Sequence, residues 1–157
     1  MLEQDEHWMQ RAIALAEQGE ALGEVPVGAV IVCDGKMIGE GFNQPITSND
    51  PTAHAEIVAL RNAAAHIKNY RLINSTLYVT LEPCTMCIGA LVHARIERLV
   101  FGTLEPKAGA VISQSQLLGA SYFNHRVEHV AGVCADQCQL QLTAFFRRRR
   151  KELKQAK

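Results

Sequence analysis

The sequence predicts an α/β fold, a three-layer α-β-α sandwich in which helices cover both faces of a sheet. Two observations carry this. Five short segments read as strands, four read as helices, and the two kinds alternate along most of the chain. At 157 residues and 48% apolar content, the chain can fill one compact core but not two full-sized domains, so a single domain over residues 1–157 is expected.

Apolar residues recur near helical spacing from Glu6 to Gln18 (Trp8, Met9, Ala12, Ile13, Leu15, Ala16), and Gly19 follows as a stop. Val25 to Cys33 is a nearly unbroken apolar run that fits a buried strand. Asp34-Gly35 then offers a turn, and Lys36 to Phe42 returns as the hairpin partner. Pro45, Pro51, Asn49 and Asp50 make Gln44 to Thr52 a loop, from which a helix runs from about His54 to Ile67. Thr76 to Leu81 is β-branched and aromatic, hence a strand. Pro83 ends it, and Cys84 to Ala94 reads as a helix. Arg98 to Gly102 is a further short strand, a polar loop reaches to about Asn124, and Arg126 to Val130 forms a last strand. A helix from about Ala135 closes the chain.

Composition excludes several classes. Sixteen basic and sixteen acidic residues cancel, so net charge names no partner. Twenty per cent charged residues and a mean hydropathy of -0.02 are those of a globular protein, not a disordered one. No run approaches 18 apolar residues, which excludes a membrane-spanning helix. The acidic start, Met1 to Glu6, is the opposite of a secretory leader. A cytoplasmic protein free of the membrane is expected.

The neutral total hides an asymmetry. Between Thr143 and Lys157, seven bases, including Arg147, Arg148, Arg149 and Arg150, stand against the single acid Glu152. Such an end, on a helix over about 135–157, can grip a polyanion. It can equally be a solvated helix end whose cations suit the negative pole of the dipole.

Five cysteines, an odd number, do not read as a disulfide framework, which directs attention to metal binding or catalysis. Two short motifs open two of the predicted helices: Pro51-Thr-Ala-His-Ala-Glu56 and Glu82-Pro-Cys-Thr-Met-Cys87. Alone, a Cys-x-x-Cys can be a redox pair or plain core, and a lone histidine is more often structural. At a helix start, however, Cys84 and Cys87 converge on one face within a single turn. The terminal amides there favour thiolates, the form that binds zinc. With His54 they make three ligands, which leaves a fourth tetrahedral position for water, as in catalytic zinc sites. Glu56, two residues past His54, is placed to move a proton between that water and a substrate nitrogen. His-x-Glu combined with Pro-Cys-x-x-Cys is the zinc-deaminase signature. A rival set, His125, His129, Cys134 and Cys138, is chemically suitable, but buried structural cysteines are the commoner reading there. Tyr78 and Trp8 are expected in the core, while Tyr122 and Phe123 stay open between packing and base stacking.

On these motifs the chain resembles the bacterial tRNA-specific adenosine deaminases of the cytidine-deaminase-like superfamily, from about His7 to Phe146. The matching segments include Gly23-Glu-Val-Pro-Val-Gly-Ala-Val30, Asn69-Tyr-Arg-Leu72, Leu77 to Cys87, Lys107-Ala-Gly109, Asn124-His-Arg126 and Phe145-Phe146. The zinc motifs are shared with deaminases of cytosine, guanine and deoxycytidylate, whereas Asn124-His-Arg126 and the basic tail favour the tRNA branch. The resemblance implies a mixed five-stranded sheet, a homodimer, one zinc ion per subunit, and conversion of the wobble adenosine of a tRNA anticodon to inosine. It carries His54, Cys84 and Cys87 over as zinc ligands and Glu56 as proton shuttle. By the same resemblance Asn43 and the Ala55 backbone hold the base, and Lys107, Asn124 and His125 meet the splayed anticodon loop. Phe145 and the following arginines lie on the helix that approaches the RNA. Thr103 to Pro106 and Val111 to Leu118 depart from the family's usual pattern, both in the loop implied to meet RNA. Two other classes compete with this one: a free-base or nucleotide deaminase, and an RNA-binding module in which zinc only holds the fold.

Overall fold

Alternation of side chains along three central strands sorts the core into two halves. In the computed structural model, which describes residues 2–156, strand β1 (Gly28–Cys33) sits between β2 (Lys36–Phe42) and β3 (Ser75–Leu81), and β4 (Arg98–Thr103) and β5 (Glu128–Ala131) extend the sheet in the order β2-β1-β3-β4-β5. β2, β1 and β3 pair antiparallel; β3, β4 and β5 pair parallel. Val30, Val32, Tyr78 and Val100 point to one face, where Met9, Ala12, Ile13 and Leu15 of α1 (Glu3–Ala21) and Cys138 of α5 (Ala135–Gln155) cover them. Ile31, Leu77, Val79, Leu99 and Phe101 point to the other, under α3 (Ala55–Ile67) and α4 (Thr85–His93). This is the expected α-β-α sandwich with a mixed five-stranded sheet. Each such Ile, Leu or Phe, fully buried, contributes roughly 1.5–3 kcal/mol.

Close approach of helix to sheet has a sequence cause. A methyl group at Gly39 would overlap Ala63, and one at Gly41 would overlap Val58, so two glycines on β2 let α3 lie directly on the hairpin. The Asp34-Gly35 turn forms as expected, both residues having positive φ, 52° and 74°.

Several boundaries differ from the sequence reading: α1 runs through the expected stop at Gly19 to Ala21, and four further differences have a local reason. α1 begins at Glu3, because the Asp5 carboxylate accepts the Leu2 N–H at 3.2 Å and Glu3, Asp5 and Glu6 favour the positive helix end. β1 begins at Gly28, because Val27 N–H turns back to the Val25 carbonyl at 2.9 Å. Within the expected loop 44–52, a single turn, α2 (Pro45–Ser48), forms where the buried Glu24 carboxylate accepts the Thr47 N–H at 2.7 Å. β5 begins at Glu128, where the ladder with β4 starts opposite Arg98 and the Glu128 N–H donates to the Glu97 carbonyl at 3.1 Å. The stretch from Leu104 to Val127 is loop apart from one 3-10 turn (Leu117–Gly119). Among the described residues, no helix is long and apolar enough to cross a membrane.

Candidate metal centre

Two helix starts meet at one point. His54 is the N-cap of α3, delivered by a loop in which Asp50 accepts both the Thr52 N–H at 2.9 Å and the Thr52 hydroxyl at 2.7 Å. Arg61 pairs with the same Asp50 at 3.0 Å, tying the loop to α3. Cys84 is the N-cap of α4, just past the end of β3, and Cys87 lies in the first turn. Cys84 Sγ is 3.5 Å and Cys87 Sγ 3.6 Å from His54 Nδ1. A tetrahedral zinc with bonds of about 2.0–2.3 Å needs its ligand atoms about 3.5 Å apart, so this donor set fits zinc.

The electrostatics agree. The neighbouring Cys87 Sγ, then His54, hold the Cys84 thiol down at about 3, against the cost of its burial. Cys87 is pushed up, first by sharing its proton with Cys84 and then by burial. His54 is raised by its bond to Cys84. A cation among the three stabilises both thiolates and takes the imidazole in its neutral form. Burial raises the Glu56 carboxyl, which is 4% exposed in the first turn of α3 and close enough to interact with Cys87.

A pocket of about 150 Å³ opens beside these groups, with Asn43, His54, Glu56, Glu82, Cys84 and Glu105 in its lining. Asn43 accepts the Ala55 N–H on Oδ1 at 3.0 Å, so the Ala55 amide is engaged by Asn43 and both belong to the same corner. Val25 and Val27, freed from β1 by the turn described above, make the apolar wall.

The other residues singled out in the sequence are dispersed. Lys107 is exposed on the segment whose neighbours Glu105 and Ala108 line the pocket. Asn124 accepts a hydrogen bond from Arg95 at 3.0 Å, and His125 donates from Nε2 to the Ile96 carbonyl at 2.8 Å; neither lines the pocket. Phe145 is buried, 2% exposed, with Arg148 and Arg149 stacked over its ring, so the ring lies under its helix and not on an open face. Arg148 pairs with Glu20 at 2.9 Å, Arg149 donates to the Gly23 carbonyl at 2.9 Å, and Arg147 and Arg150 are exposed. Among the described residues, His54, Cys84 and Cys87 form the metal-competent group. The rival set does not gather among the described residues: Cys138 packs against Gly102, and His125 Nε2 donates to the Ile96 carbonyl.

Sequence reading assigned no role to Glu82. The Ser113 hydroxyl and four backbone N–H groups donate to its buried carboxylate. Burial pushes that carboxyl up, but these bonds, led by Ser113, outweigh it and bring it to about 2. The available signal was a lone acid at the end of an apolar strand, directly before Pro83 and Cys84.

An open-sided His/Cys/Cys group with a buried carboxylate beside it, at helix starts over a mixed sheet, defines a zinc-dependent deaminase. Residues 2–103 match the cytidine and deoxycytidylate deaminase zinc-binding region. A tRNA-specific adenosine deaminase of Haemophilus influenzae is 56% identical over 96% of this chain and 87% of its own. One from Bacillus subtilis is 44% identical over 98% and 96%. A structure solved in work on A-to-I editing by tRNA:A34 deaminases at the wobble position of transfer RNA superposes with a TM-score of 0.84, at 40% identity, over 87% of this chain and 99% of that one. The chain belongs to the cytidine and deoxycytidylate deaminase family and, within it, to the tRNA-specific adenosine deaminases.

Proposed function

We propose that this protein is a cytoplasmic tRNA adenosine deaminase, one catalytic domain with its own basic helix, that converts the wobble adenosine of an anticodon to inosine. The observation that carries the chemistry is the buried Glu56 carboxyl in one pocket with His54 and Cys84. The full-length likeness to tRNA-specific adenosine deaminases supports the substrate. Five free cysteines fit a reducing compartment.

His54, Cys84 and Cys87 hold one zinc ion per subunit, which when bound supplies the Lewis acidity that makes water nucleophilic near neutral pH. Glu56 takes the proton of the attacking water and passes it to the ring nitrogen beside the amino-bearing carbon. It then takes the remaining proton from the new hydroxyl and delivers it to the amine as the C–N bond breaks, so water and adenosine become inosine and ammonia. Asn43 holds the base against the start of α3. Lys107, Asn124 and His125 meet the rest of the anticodon loop, whose unpaired bases can be splayed into a pocket a duplex base cannot reach. Phe145, in this reading, supports the helix that faces the RNA.

A homodimer is part of the same reading. An apolar groove of about 480 Å³ between α3 and α4, lined by Ile57, Leu60, Met86 and Tyr70, supports it, and sedimentation of the purified protein tests it. The reaction is tested by inosine formation in an anticodon stem-loop with a wobble adenosine. Wild type should form inosine, and Glu56→Ala should keep zinc yet lose about 10²–10⁴ in rate. Activity on free guanine, cytosine or deoxycytidylate in place of the stem-loop would move the substrate to the other branches of the family.

A further inference from the structure

Glu82 takes no part in the proton transfers above, yet it lies in the same pocket wall, 2% exposed and two residues before Cys84. A carboxylate so buried is costly unless its oxygens are satisfied. Every donor that satisfies it comes from one segment of the β4–β5 loop. Oε1 accepts the Glu105 N–H at 3.0 Å and the Ser113 hydroxyl; Oε2 accepts the N–H groups of Val111 at 3.1 Å, Ile112 at 2.8 Å and Ser113 at 3.0 Å. Gly109 passes so close that a methyl group there would overlap the carboxylate. The same segment lends Glu105 and Ala108 to the pocket and exposes Lys107 between them.

We propose that Glu82 is a positioning residue for substrate: it fixes residues 105–113 as the outer wall of the pocket and sets Lys107 beside it. The inference rests on the tRNA deaminase reading, and it assigns Glu82 to RNA binding, not to the chemical step. Both carboxylate oxygens are needed as acceptors. A glutamine would put an NH2 group in place of one oxygen and leave two or three of the five donors unpaired.

The test compares wild type with Glu82→Gln and with the milder Ser113→Ala, which removes one donor without burying anything new. Amide hydrogen exchange, zinc content, and KM and kcat on the anticodon stem-loop are measured for each. In Glu82→Gln the amides of Glu105, Val111, Ile112 and Ser113 should lose protection, KM should rise about tenfold, and kcat should stay within about twofold at full zinc content. Ser113→Ala should move the same quantities in the same direction by less, and it decides the matter if Glu82→Gln does not fold. Unchanged protection, unchanged KM, or a fall in kcat or zinc at constant KM overturns the proposal. The exchange arm does not depend on substrate, so a wild type that makes no inosine sinks the functional reading while the anchor still stands or falls on exchange.

Discussion

Asn43 Oδ1 accepts the backbone N–H of Ala55 at 3.0 Å, tying the end of the β1–β2 hairpin to the first residue of the helix that carries Glu56. The bond fills one of the N–H positions a helix start cannot satisfy internally. Asn43→Ala should therefore cost about 1 kcal/mol of stability. It should also slow inosine formation about tenfold or more through the displaced Glu56, with zinc retained. Asn43→Asp keeps the acceptor, so denaturant titration should show stability near wild type. Its activity should stay low, because the side-chain N–H donor is gone. Full activity in Asn43→Ala would confine this residue to capping.

Asp5 anchors the opposite face of the sheet. Its carboxylate, fully buried, takes two hydrogen bonds from Arg98, at 2.8 and 2.7 Å, and one from the Tyr78 hydroxyl at 2.9 Å. The Arg98 bonds, against the cost of burial, hold Asp5 below its ordinary value of 3.8. A lowered carboxyl stabilises the fold fully above the unfolded value, and that contribution is lost as pH falls through the lowered one. Denaturation midpoints should thus drop below about pH 4 in wild type, and Asp5→Asn should flatten that drop. At neutral pH Asp5→Asn should cost about 3 kcal/mol, since it leaves the largely buried Arg98 without its counter-charge and with one of its two bonds lost. Tyr78→Phe, which removes one neutral donor, should cost nearer 1 kcal/mol.

What the sequence made legible is what local rules govern. Apolar runs, the Asp34-Gly35 turn and Pro83 mark β1 to β3 because strand periodicity and turn chemistry are properties of neighbouring residues. His54, Glu56, Cys84 and Cys87 were legible because metal-ligand spacing is itself a short-range pattern. Glu82 was not, since its five donors lie 23 to 31 residues downstream in a segment with no periodicity. Glu24 escaped for the same reason: its partners in α2 lie across a strand hairpin. Phe145 illustrates the reverse limit. The family resemblance set it on the helix that approaches the RNA, and only the packing against the body reveals a buried ring.

Metal removal separates the two cysteine groups. Chelation should abolish inosine formation and lower stability by about 4 kcal/mol relative to protein at about 1,000 times its dissociation constant for zinc. Cys84→Ser with Cys87→Ser should leave no bound zinc by elemental analysis, while Cys134→Ser with Cys138→Ala should leave it undiminished. Cys138→Ala opens a small cavity beside Gly102, where the thiol now fits closely, at a cost of about 1 kcal/mol. Zinc retained by the first pair and lost by the second would transfer the metal to the rival set.

The arginine cluster divides by helical geometry. Arg147, Arg150, Lys151 and Lys154 fall at i, i+3, i+4 and i+7, on one exposed face of α5. Arg148 and Arg149 turn the other way, to Glu20, the Gly23 carbonyl and the Phe145 ring. The first group is free to neutralise phosphates, and the second docks α5 against the end of α1. Arg147→Gln with Arg150→Gln should weaken stem-loop binding and lower the slope of log affinity against log salt by about 2, roughly one for each phosphate left without its arginine. Its thermal stability should match wild type. Arg148→Gln with Arg149→Gln should do the opposite, costing up to about 1 kcal/mol of stability, because the pair is partly exposed, while sparing most of the salt slope. Equal slopes in both double variants would mean that docking and RNA binding are not divided between the two faces.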